Sequence, residues 1–80
     1  MRLDKYLKVS RIIKRRTVAN EACDADRVLV NGKAARASYN VKIGDVIEIA
    51  FGTRTFKAEV VSLTETVKKE DAAAMYKICE

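Results

Sequence analysis

The chain has 80 residues and not one histidine, and it contains neither a Walker loop nor a Gly-x-Gly-x-x-Gly motif. The commonest general base is therefore missing. The usual zinc-finger ligand sets cannot be written, and no glycine-rich loop is there to cradle a nucleotide phosphate. The two cysteines, Cys23 and Cys79, lack a Cys-x-x-Cys spacing. A single disulfide between them is open. The favoured reading is two small buried thiols in a reducing compartment. No apolar run approaches the ~18 residues of a membrane span. The N-terminus starts with cations but has no apolar h-region and no small-residue cleavage site, so a signal peptide is not expected and the cytoplasm is the expected compartment. Aromatic residues make up 6% of the chain, and the paired aromatic platform of single-strand readers is not evident. A chain this short has little core from which to build a catalytic pocket. No enzymatic activity, metal or cofactor is expected.

What is present is charge, unevenly placed. The chain has 16 basic and 11 acidic residues. Seven of the cations (Arg2, Lys5, Lys8, Arg11, Lys14, Arg15 and Arg16) lie between Met1 and Thr17, against one acid, Asp4. The remaining nine basic residues face ten acidic ones, so the positive charge belongs to the N-terminal segment. A solubilising face normally mixes signs, and this one hardly does. An anionic partner is implied, nucleic acid or a lipid surface.

Leu3, Tyr6 and Leu7 recur at helical spacing and predict a short helix over residues 3 to 9, with Asp4 near its start where the helix dipole favours an acid. Asp4 is read as an acid that caps the helix or orients neighbouring cations, not as a catalytic base. Arg2, Lys5, Lys8, Arg11 and Lys14 are spaced three apart, which on a helix gives a contiguous row. Ile12 and Ile13 anchor a connecting turn. Thr17 is the expected N-cap of a second helix, which carries Val18, Ala19, Ala22 and Cys23 as a small-residue stripe and stops near Ala25–Asp26. Lys14, Arg15 and Arg16 would then stand beside helix amides that also attract phosphate. A left-handed residue is expected at the following corner, where Asp26 costs more than glycine.

A strand over Val28–Val30, an Asn31-Gly32 turn and a return through Lys33–Ala35 form a hairpin. After a loop over residues 36 to 45 come two strands, Val46–Phe51 and Thr55–Leu63. The second places Phe56, Ala58 and Val60 on one face. Ala72–Ile78 reads as a short C-terminal helix. The fold class is α+β: two short N-terminal helices on a small, mostly antiparallel sheet. Residues 1–63 form the domain and 64–80 a C-terminal tail, whose apolar residues pack back or wait for a partner.

Four signatures occur in order: Arg2-Leu3-Asp4-x-x-Leu7, Arg16-x-x-Ala19, Asp26-Arg27-Val28-Leu29-Val30-Asn31-Gly32, and Val41-x-x-Gly44-Asp45-x-Ile47. Together, over roughly residues 1 to 50, they resemble the S4 RNA-binding domain. The opening from Met1 to Thr17, the Phe51-Gly52 turn and the stretch Lys68–Tyr76 resemble the free-standing bacterial members of that family. The resemblance implies an S4-like fold and a role on the large ribosomal subunit. There the protein would bind ribosomal RNA and peptidyl-tRNA on obstructed subunits while a quality-control tailing factor adds alanine to the stalled chain. No membrane partner is expected, and the protein is expected to be a monomer.

Arg2 and Arg16 are the leading RNA contacts, followed by Arg11, Lys14 and Arg15, then Lys5 and Lys8. Asn31, Gly32 and Lys33 admit two readings, turn chemistry and contact with backbone phosphate. Arg36 is a weaker candidate. Tyr39 is a candidate for base stacking, and Tyr6 is expected to pack. The chain departs from the family at Arg15, often serine, and at Asp26, usually glycine. The rival readings are a generic large-subunit assembly or heat-shock RNA-binding factor without a tailing role, and a basic module on anionic membrane. The membrane module needs bulky apolar residues opposite the cations, and Leu3, Tyr6 and Leu7 offer few.

Overall fold

A computed structural model describes residues 1–65 and 68–79. Helix α1 spans Leu3–Val9 and helix α2 spans Arg16–Asp24. The strands are β1 (Val28–Val30), β2 (Lys33–Ala34), β3 (Val46–Phe51), β4 (Arg54–Val60) and β5 (Tyr76–Ile78), with a 3-10 helix over Lys69–Met75 before the last. They form one antiparallel sheet in the order β2-β1-β3-β4-β5.

Alternation along β3 and β4 sets which face is buried. The register pairs Ile47 with Ala58 and Ile49 with Phe56, so their side chains share a face with Val28 and Val30 of β1. Against that face stand Leu3, Tyr6 and Leu7 of α1, Ala19 and Cys23 of α2, Ile13 of the interhelical turn, and Ala37 and Val41 of the long loop. Ala19 and Cys23 are the buried residues of α2, and Ala22 is half-buried, which suits close packing on α1. Val18, expected in the same stripe, is exposed. Both cysteines are free. Cys23 is buried and Cys79 is partly exposed; burial, with the nearby Asp4 and Asp24 charges, pushes the Cys23 thiol up to about 11.

Three local expectations need correction. Helix α2 begins one residue before Thr17, its N-cap is Arg15 in extended conformation, and no side chain caps it. The row of cations breaks after Lys8, because α1 ends at Val9 and Arg11 takes φ 61° in the turn. The last stretch is not an α-helix over Ala72–Ile78. The alanines form a 3-10 turn, and Tyr76–Ile78 add a strand to the free edge of β4. Tyr76 meets Phe56 edge-to-face, with ring centroids 5.8 Å apart. Met75, just before β5, is 2% exposed, and its carbonyl accepts the Tyr6 hydroxyl at 2.8 Å and the amides of Val61 and Ser62. That carbonyl thus ties α1, the segment after β4 and the 3-10 turn together.

Two corners are as the sequence predicts. Asn31 and Gly32 both have positive φ, 53° and 84°, as a tight hairpin turn requires. Asp26 sits at φ 57°. Its amide donates to the Cys23 carbonyl and the Arg27 amide to the Ala22 carbonyl. This pair of bonds is the Schellman closure, built here on aspartate instead of glycine.

Candidate nucleic-acid interface

Asp4 joins the two ends of the basic segment, Arg2 and Arg16. It lies in the first turn of α1 with its side chain 1% exposed. Arg2 donates from Nε to Oδ1 at 3.2 Å and from Nη2 to Oδ2 at 3.4 Å. Arg16, twelve residues later at the start of α2, approaches the same carboxylate with Nε to Oδ2 at 3.2 Å and Nη2 to Oδ1 at 3.4 Å. The Lys5 amide adds a bond of 2.8 Å and Asn20 Nδ2 one of 3.0 Å. Burial opposes the charge on Asp4. The hydrogen bonds from Arg16 and the Lys5 amide, with the fields of Arg16 and Arg2, outweigh that and hold its carboxyl below the ordinary value of 3.8. A carboxylate so held is a weak proton acceptor and a good scaffold. Asp4 accepts hydrogen bonds from both guanidiniums, and it caps nothing at the N-cap position itself, which is Arg2.

The consequence is a pair of guanidiniums fixed side by side. Their side chains stay 53% and 46% exposed, and the N–H donors not spent on Asp4 remain for an outside acceptor. Two positive charges share one negative charge, so the cluster carries a net positive charge beside the uncapped start of α2. Oriented guanidinium forks and helix N-terminal amides both recognise phosphate.

The other cations are placed differently. Arg11, Lys14 and Arg15 are exposed in the interhelical turn and flank the cluster in sequence, but they are not tied to Asp4. Lys8 is exposed on α1. Lys5 Nζ pairs with Glu65 Oε1 at 3.2 Å across an exposed surface, a contact of small value in water. Tyr6 is fully buried and unavailable for stacking.

The hairpin turn is joined to the long loop by a second buried carboxylate. Asp45, 7% exposed, accepts Asn31 Nδ2 at 3.1 Å, the Tyr39 hydroxyl at 2.9 Å and the Lys42 amide at 3.0 Å. Burial again opposes its charge, and these bonds hold the carboxyl below 3.8. The bond to Asp45 raises the Tyr39 hydroxyl. Asn31 Oδ1 accepts the Val46 amide. Asn31 is thereby committed to holding the turn, whereas Lys33 and Arg36 remain exposed. The loop also meets the N-terminal segment. The Leu3 amide donates to the Tyr39 carbonyl, Arg2 bridges Asn40, and the Met1 ammonium donates to Asn40 Oδ1.

The sequence singles out Arg2, Asp4 and Arg16, which the structure brings together, and assigns no role to Asn20 or Asp45. Asn20 was legible in principle: it stands four residues after Arg16, one helical turn along the same face. Asp45 stands in the fourth signature, but its bonds to Asn31 and Tyr39 form only where the hairpin turn and the long loop meet.

A family model described as the S4 domain matches residues 1–47. The chain is 55% identical to the RQC P-site tRNA stabilizing factor of Streptococcus pneumoniae, over 98% of this chain and 89% of that protein. It is 53% identical to the protein of the same name in Bacillus subtilis, over 98% of this chain and 91% of that one. Among solved structures, the trimeric heat shock protein 15 of Vibrio cholerae superposes with a TM-score of 0.90 at 26% identity, covering 99% of this chain and 81% of that chain.

Proposed function

This chain belongs to the S4 domain family, and from that membership we propose that it is an RNA-binding factor of the large ribosomal subunit in ribosome-associated quality control. It holds ribosomal RNA and the peptidyl-tRNA on obstructed subunits, and so supports a partner factor that extends the stalled chain with alanine. The relatives named for stabilizing a P-site tRNA, matched along nearly the whole chain, support the tRNA part of this reading. The observation that carries the RNA part is the Arg2–Asp4–Arg16 cluster: two guanidiniums aimed by one buried carboxylate.

Arg2 and Arg16 contact phosphate first. Arg11, Lys14 and Arg15 extend the contact along the interhelical turn, Lys33 adds a cation from the hairpin, and Lys5 and Lys8 contribute long-range attraction. Recognition is by shape and phosphate spacing, so losing one cation weakens binding to all sequences alike. The factor acts without catalysis, as a monomer, in the cytoplasm; among the described residues no helix is long and apolar enough to cross a membrane.

The test is to isolate the tagged protein from cells with its bound particles. Large subunits carrying tRNA and nascent chain are the expected cargo. Bare precursor subunits would instead favour an assembly or heat-shock role, and co-sedimentation with anionic vesicles but not ribosomes would favour the membrane.

A further inference from the structure

The hairpin β1–β2 and the start of the long loop enclose an open depression of about 690 Å³, within the ~300–1,000 Å³ of small-ligand sites. Its lining includes Ala34, Ala35, Ser38 and Tyr39, and two cations, Lys33 and Arg36. No acidic residue lines it. Its aromatic wall is not loose: Asp45, 7% exposed, fixes the Tyr39 hydroxyl and Asn31 at 2.9 and 3.1 Å. The loop that supplies Tyr39 also pairs, at the next residue, with Arg2. The loop that lines the depression is thus held against the segment that carries Arg2.

We infer that this depression is a seat for one unstacked nucleotide of the bound RNA. The base lies on the alanines against the Tyr39 ring, and Lys33 and Arg36 hold the flanking phosphates. Small side chains leave room for a flat base, an immobilised ring offers a stacking surface at little entropic cost, and paired cations without an acid suit a phosphodiester and not a neutral or cationic ligand. This inference rests on the RNA-binding reading above and sharpens it. Phosphate contacts at Arg2 and Arg16 place the RNA, and the depression selects RNA that offers an extruded base.

The experiment compares two short RNA hairpins of the same stem, one carrying a bulged adenosine and one fully paired, against the wild-type chain, Ala34→Ile and Arg16→Ala. Ala34 is an exposed strand residue, so isoleucine fills the depression at a position where a β-branched side chain suits the backbone. The bulged hairpin is expected to bind wild type about tenfold more tightly, within the range for one stacked base. Ala34→Ile should erase that preference and leave the paired hairpin unaffected. Amide shifts in the complex should centre on Ala34, Ala35 and Tyr39 only with the bulge. Equal binding of both hairpins to wild type, with Arg16→Ala still weakening each, would overturn the nucleotide seat and spare the RNA reading. Failure of both hairpins to bind the wild-type chain would overturn both.

Discussion

Replacing Asp4 by asparagine separates positioning from charge. The substitution removes a negative charge from a basic face, which by electrostatics alone should tighten RNA binding. If the carboxylate aims Arg2 and Arg16, affinity should fall instead, and a filter-binding titration decides the sign. The same variant should lose about 2 kcal/mol of stability in urea, the scale of a hydrogen-bonded buried charge. The pH dependence follows from the same groups. Asp4 and Asp45 both have folded values below 3.8. Their contribution is therefore complete above that value and is lost as pH falls through the lower, folded values. Thermal unfolding followed from neutral pH to about pH 2 should show the melting temperature falling in that acid window, and the fall should flatten in the Asp4→Asn, Asp45→Asn double variant. At the opposite corner, Asp26 occupies a left-handed position at φ 57°. Asp26→Gly should stabilise the protein by roughly 0.5–1 kcal/mol, and an unchanged urea midpoint would show that the aspartate is not strained there. Asp26 and the Asn31-Gly32 turn were legible because a positive φ leaves a local mark on the sequence. The bonding of Asp45 was not, because it depends on how the loop folds Tyr39 and Lys42 back onto it and on where the hairpin places Asn31.

Among the elements, the last stretch shows how tertiary context overrides local preference. Ala72-Ala73-Ala74 are strong helix formers, and the sequence reads as helix through Ile78. The edge of β4 offers unpaired backbone groups, however, and Tyr76–Ile78 take them in register with Ala58–Val60. Short helices are marginal without packing, whereas Tyr76 gains both ladder bonds and the Phe56 ring. Helices α1 and α2 and strands β3 and β4 were readable because each buries one regular face, and β1 and β2 because the Asn31-Gly32 turn marks the hairpin between them. β5 was not, because its three residues carry too short a pattern and its partner strand is known only from the fold. If these residues are integral, Met75→Ala should cost about 2–5 kcal/mol in urea unfolding, as a buried core methionine does. A chain ending at Leu63 should then lose its sharp unfolding transition. A detachable tail would leave both variants near wild-type stability.

Over the whole molecule, the formal charge of +5 comes from the first 17 residues, whose seven cations and one acid outweigh a remainder with nine basic and ten acidic residues, and the fold gathers Arg2 and Arg16 of that block around Asp4. The outer face of the sheet is more balanced: Lys57 Nζ lies 3.7 Å from Glu48 Oε1, and its removal should not matter to RNA. Binding to large ribosomal subunits, measured against salt for wild type, Arg16→Ala and Lys57→Ala, tests the central claim most directly. A phosphate-binding Arg16 predicts weaker binding at every salt concentration and a log–log slope shallower by about 1, with Lys57→Ala matching wild type. An Arg16→Ala titration that overlays wild type in both affinity and slope would contradict the claim that the Arg2–Asp4–Arg16 cluster is the RNA-binding face.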